Sequence, residues 1–89
     1  MEFTQYEVVQ VSKLLKAPDA YEGWSRNRRP PQIGDIGTIV EVLKAEGIRD
    51  CYVVESVDQD GFTIWLCDFD KSELAVPDPE IYSRWVGLS

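Results

Sequence analysis

The segment Gly34-Asp35-Ile36-Gly37-Thr38-Ile39-Val40 constrains the fold more than any other stretch of this chain. Two glycines bracket an acidic corner, and a β-branched run follows at once. Glycine turns a backbone where other residues resist, and β-branched residues favour a pleated strand. The chain therefore turns sharply here and enters a strand. Farther on, Tyr52-Val53-Val54-Glu55 and Thr63-Ile64-Trp65-Leu66 flank Asp60-Gly61, which is the pattern of a hairpin. Together these features predict a small, strongly bent sheet that closes on itself.

The remaining elements follow from local signals. Residues 6–11 are rich in β-branched side chains and predict strand one. A single helical turn is expected from Pro18, stopped by Gly23. Residues 24–32 read as a long irregular loop, because Pro30-Pro31 favours an extended backbone and forbids helix. Strands two, three and four are expected over 37–43, 52–57 and 62–68, with Val54 placed across from Trp65 in the hairpin. Residues 71–74 suggest one helical turn and 75–76 a short closing strand. Asp78-Pro79-Glu80 is a helix start, with Asp as N-cap, Pro in the first position and an acid near the positive end of the dipole. Ile81, Trp85 and Leu88 then recur at helical spacing, and Gly87 suits the stop.

Five short strands, a long first loop, a tight hairpin and a one-turn helix before the last strand predict a mostly β fold. The expected architecture is a five-stranded SH3-like small barrel with a short C-terminal helix. A five-stranded oligonucleotide-binding barrel competes, but it usually carries a helix between strands three and four, where this chain has only residues 58–61. The 89 residues suit one domain, with barrel core at about 6–76 and a helical tail at 78–89.

Charge and cysteine content narrow the function. The formal charge is −7, unevenly spread: residues 1–33 hold five basic and four acidic side chains, and residues 34–89 hold four and twelve. An acidic barrel repels phosphate backbones, which disfavours nucleic acid as a partner. No apolar run approaches the ~18 residues of a membrane helix, and the start Met1-Glu2-Phe3-Thr4-Gln5 lacks the features of a secretory signal. A cytoplasmic location is expected. Cys51 and Cys67 fall in predicted strands, where a free thiol acts as a small hydrophobe. Without histidine they do not make a zinc site of the usual kind.

The stretch Asn27 to Val40, the segment Tyr52-Val53-Val54-Glu55-Ser56 and the segment Asp60 to Phe69 resemble a small bacterial family of uncharacterised proteins. Such proteins resemble short SH3-like or KOW-like barrels, and some similar chains are carried on integron gene cassettes or lie in mobile or defence-related neighbourhoods. The resemblance spans about residues 6–76 and implies no established activity. Gly34 to Val40 alone is also similar to the KOW motif of ribosomal and transcription proteins, a likeness that mostly reports turn geometry. The tail beyond Pro79 lies outside the resemblance.

Candidate functional residues concentrate in Trp24-Ser25-Arg26-Asn27-Arg28-Arg29. Arg26, Arg28 and Arg29 suit a carboxylate or phosphate, with Trp24 as an aromatic platform. The plainer alternative pairs these arginines with the protein's own acids. Tyr52 and Trp65 of the hairpin join the candidate partner surface, with a core role as the alternative. Asp68, Asp70 and Glu73, with Asp58 and Asp60, form an acidic group whose spacing fits no calcium loop, so neither metal nor cofactor is expected. Catalysis is not expected either: histidine is absent, and no nucleophile elbow or phosphate loop occurs.

Ile81, Tyr82, Trp85 and Leu88 are a large apolar load for a short tail and predict self-association as a dimer or tetramer. The expected function is a non-catalytic module that binds a protein partner and itself, adaptor- or immunity-like. A KOW-like nucleic-acid-binding domain and a small-ligand pocket at a subunit interface are the alternatives.

Overall fold

A computed structural model describes residues 3–21, 27–44, 46–47 and 49–87. Five antiparallel strands form one sheet: β1 (Val8–Val11), β2 (Ile36–Leu43), β3 (Cys51–Val57), β4 (Thr63–Asp70) and β5 (Leu74–Ala75). Their order is β4-β3-β2-β1-β5. The first strand thus sits between the second and the last, and the sheet curls into a half-barrel, the expected small-barrel architecture. One 3-10 turn, Pro18–Tyr21, lies in the long first connection, and another, Lys71–Glu73, precedes β5. Helix α1 (Pro79–Gly87) closes the described chain.

The core follows from strand alternation. Trp65, Cys67 and Phe69 of β4 point inward, as do Tyr52, Val54 and Ser56 of β3, and all six are buried. Val9 and Val11 of β1, Ile39 of β2, Leu74 of β5, Phe3 and Tyr21 complete the cluster. Tyr21 stacks on Phe69 with ring centroids 5.4 Å apart, and Trp65 tilts against the same ring at 5.5 Å.

The hairpin register differs from the expected one by two residues. Trp65 faces Ser56, and Val54 faces Cys67. One step comes from the turn: the Asp58 N–H donates to the Phe62 carbonyl, so Phe62 belongs to the turn and not to β4. The second step is a bulge, because Val57 pairs with Thr63 whereas Ser56 pairs with Trp65. A slip of one residue would turn every β4 side chain to the other face. Two slips cancel, and Trp65 stays inside. A second irregularity, between Ile39 and Glu41 of β2, supplies the local bend that a bulge imposes on a sheet.

The glycine corner that opens β2 has two separate reasons. Gly34 sits at φ +98°, a conformation that side chains rarely adopt, and its N–H donates to the Val11 carbonyl. Gly37 is needed for space. A Cβ there would lie 2.6 Å from Val54 Cγ1 and 3.0 Å from the Glu55 carbonyl oxygen. Gly37→Ala should therefore destabilise the fold by about 1–3 kcal/mol through overpacking, read as a lower urea midpoint at unchanged slope. An unchanged midpoint would show that β2 and β3 do not approach so closely.

Candidate functional site

The arginine segment is held by the barrel itself. Asp35, at the glycine corner, is buried, and its carboxylate collects four donors. Arg29 donates through both terminal nitrogens, at 2.8 and 3.1 Å, Trp65 Nε1 donates at 2.9 Å, and the Gln32 N–H at 2.9 Å. A forked guanidinium suits a carboxylate in this way, and the indole N–H in the core needs a partner. Arg28 spans the hairpin. Its guanidinium donates to Asp58 at 2.9 Å and to the Thr63 carbonyl at 3.2 Å, while its backbone N–H donates to Ile64 at 2.8 Å. Asp58 also accepts from the N–H groups of Phe62 and Asp60. The Phe62 bond leads in holding its carboxyl below the usual range, and Arg28 adds to it.

Of the expected partner surface, Arg28 and Arg29 are engaged within the chain. Trp24 and Arg26 lie outside the described residues. Tyr52 and Trp65 are 1% and 0% exposed, which removes both from any partner surface. The reason is register: each faces the concave side of the curled sheet, where the core forms.

A second buried carboxylate pins the other end of the first loop. Asp70 caps the 3-10 turn Lys71–Glu73, and Glu73 Oε1 in return accepts from the Asp70 N–H at 2.8 Å. Its other oxygen accepts from the Leu15 N–H at 3.0 Å and from the Tyr21 hydroxyl. That hydroxyl in turn accepts from the N–H groups of Leu15 and Lys16, each at 3.1 Å. Burial first, then the bond to Glu73, raises the Tyr21 phenol above its ordinary value. The sequence places Glu73 in an acidic group with Asp68 and Asp70 and gives it no separate role. The signal for its real role was the Asp-x-x-Glu spacing of a capping box.

Beside this node lies an open cleft of about 320 Å³ between the first loop and the β2–β3 connection. Leu15 and Lys16 of the first loop, Arg49, Asp50 and Cys51 at the start of β3, Asp68, Phe69 and Asp70 of β4, and Glu73 line it. Lys16 Nζ sits 4.5 Å from the centre of the Tyr21 ring. Arg49, 81% exposed, reaches Asp70 at 3.2 Å, and Lys44 reaches Asp50 at 3.6 Å. Exposed pairs of this kind contribute only ~0–1 kcal/mol; Asp70 is also held by the Ser72 N–H and hydroxyl that it caps, which leaves Asp50 and Asp68 as the carboxylates open to a partner. The lining is of mixed charge, with Lys16 and Arg49 among its acids; its carboxylates beside the exposed Leu15 suit a long basic side chain, whose stem packs while its head pairs.

The thiols are protonated at neutral pH. Burial pushes Cys67 up to about 11, against the bond from Asn27, and burial also raises Cys51. That is the opposite of an activated thiolate. Among the described residues, no group of three or more Cys, Asp or Glu side chains is placed to hold a metal, and no helix is long and apolar enough to cross a membrane.

Helix α1 begins where the sequence places it. Asp78 Oδ1 accepts from the N–H groups of Glu80 and Ile81 at 2.9 and 3.4 Å, and the Asp78 N–H donates to Gln10 Oε1 at 2.6 Å. Ile81 and Tyr82 are exposed. The Trp85 side chain and Leu88 lie outside the described residues. Compared with known proteins, the chain matches no family model, no curated protein and no solved structure.

Proposed function

We propose that this chain is a non-catalytic binding module, an acidic barrel that receives a basic protein partner on the cleft beside β4 and associates with itself through helix α1. The observation that carries the reading is the cleft. It joins an exposed apolar residue, Leu15, to the carboxylates of Asp50, Asp68 and Asp70. The chain's charge of −7 draws cationic partners toward it and speeds their encounter. An adaptor- or immunity-like role fits that charge and the mobile-element setting that the sequence resemblance implies. Two free cysteines suit the reducing cytoplasm. A phosphate-binding role for the arginine segment loses support, because Arg28 and Arg29 already have carboxylate partners.

Titrating isotope-labelled protein with an extended arginine-rich peptide tests the partner surface. The amides of Leu15, Arg49, Asp68 and Asp70 should shift first, an acidic peptide of equal length should shift none, and Asp68→Lys should weaken binding by about tenfold. Equal shifts with both peptides, or shifts confined to the surface around Ile33, would refute the assignment.

Self-association rests on the exposed Ile81 and Tyr82 at the start of α1. Sedimentation over a concentration series should give a dimer or tetramer that the double variant Ile81→Glu, Tyr82→Glu returns to monomer. A wild-type monomer at millimolar concentration would rule this out.

A further inference from the structure

Strand β4 is an edge of the sheet, and an edge strand is a template for pairing with another chain. Here two consecutive residues of the first loop occupy that edge. The Arg28 N–H donates to the Ile64 carbonyl at 2.8 Å. The Asn27 side chain then behaves like a peptide group of a neighbouring strand. Its Oδ1 accepts from the Leu66 N–H at 2.8 Å, and its Nδ2 lies 3.4 Å from the Leu66 carbonyl. At the far end of the strand, Glu73 Oε1 takes the Asp70 N–H. Asn27 is itself held from behind, with Nδ2 at 3.4 Å from the Tyr21 carbonyl and from Cys67 Sγ.

We infer that residues 27–28 form a strap over a latent interaction surface, and that the partner this surface fits is the β4 edge of a second copy of the chain. The argument for a second copy is self-complementarity. In an antiparallel β4–β4 pair with its two-fold axis at Leu66, Leu66 meets Leu66 and Ile64 meets Asp68. Ile64 and Leu66 are half-buried apolar side chains and Asp68 is exposed, so the pair adds one apolar contact at its axis, Leu66 on Leu66, and opposes no like charges. A pair centred on Asp68 would set two carboxylates face to face. The groups that Asn27 and Arg28 occupy at Ile64 and Leu66 are those such a pair needs. A closed two-fold interface of this kind buries the same patch on both copies and makes one sheet run through the dimer. The Arg28 guanidinium, 53% exposed on its contact with Asp58, is the weak end of the strap, because salt screens such a pair. This surface is separate from helix α1 and borders the cleft at Asp68, so the inference is decided by the Leu66–Leu66 contact, which neither the partner reading nor the α1 reading produces.

The test is the double variant Asn27→Ala, Arg28→Pro, which removes the Asn27 amide and the Arg28 N–H, mixed from labelled and unlabelled copies. Intermolecular contacts between the two Leu66 residues are expected in filtered nuclear Overhauser spectra. Dimerisation should tighten by about tenfold or more over wild type, and the Leu66 amide should be protected from exchange only at high concentration. Adding Leu66→Lys should abolish all three effects through repulsion at the two-fold axis. A folded double variant without Leu66–Leu66 contacts at millimolar concentration would overturn the inference, as would such contacts in wild type. If the double variant does not fold, Asn27→Gly, which removes both the acceptor and the donor at Leu66, is read by the same contacts and the same criteria.

Discussion

The Asp35 carboxylate is the contact on which the rest of the molecule depends. It lies at the corner where the long first loop becomes β2, and it binds the loop through Arg29 and Gln32 and the core through Trp65. Trp65 is the largest fully buried side chain, and its one polar atom needs an acceptor inside the barrel. Asp35 supplies it. A carboxylate placed there is costly unless its own charge is met, and the Arg29 fork meets it. Gly34 lets the backbone turn back onto Val11, and Gly37 lets β2 lie flat against Val54. Gly34 thus turns the corner that carries Asp35, and Gly37 makes room for the close pairing of β2 with β3.

Glu73 repeats the device at the loop's other end. It ties Leu15 and Tyr21 to the 3-10 turn before β5, while Tyr21 stacks on Phe69. Between these two nodes, Asn27 and Arg28 lie along the β4 edge. The described part of the first loop is thus fastened at three places by polar groups with named partners. That is why Arg28 and Arg29, among the most conspicuous cations of the sequence, prove to be internal fasteners. The candidate contact surface moves to the cleft, whose lining includes Leu15, Lys16, Arg49 and Asp50.

Much of this fold was legible in the sequence because its signals are local. The glycine corner, the Asp58 turn, the Asp78-Pro79 helix start and the one-turn helix near Lys71 each depend on a few adjacent residues, and all appear within a residue or two of where they were read. Strand pairing was harder. The hairpin register moved by two because a turn boundary at Phe62 and a bulge near Val57 are set by tertiary fit, and no nearby residue announces them. The site was the least legible part. Whether an arginine faces solvent or a buried acid depends on contacts as remote in sequence as Trp65 to Asp35. Asp35 was read as a turn residue and Glu73 as one of an acidic group. Only Glu73 carried a local hint, in its spacing from Asp70. Tyr52 and Trp65, read as surface candidates, went inside because their strand positions alternate toward the concave face.

Hydrogen exchange of the Trp65 indole in the wild-type protein tests the Asp35 account most directly. If this carboxylate joins loop to barrel, the indole N–H exchanges only when the whole domain unfolds, with the same opening free energy as the amide of Val54 in the core. An indole that exchanges orders of magnitude faster than the Val54 amide, while the rest of the core stays protected, would contradict it, because the loop would then open without the barrel.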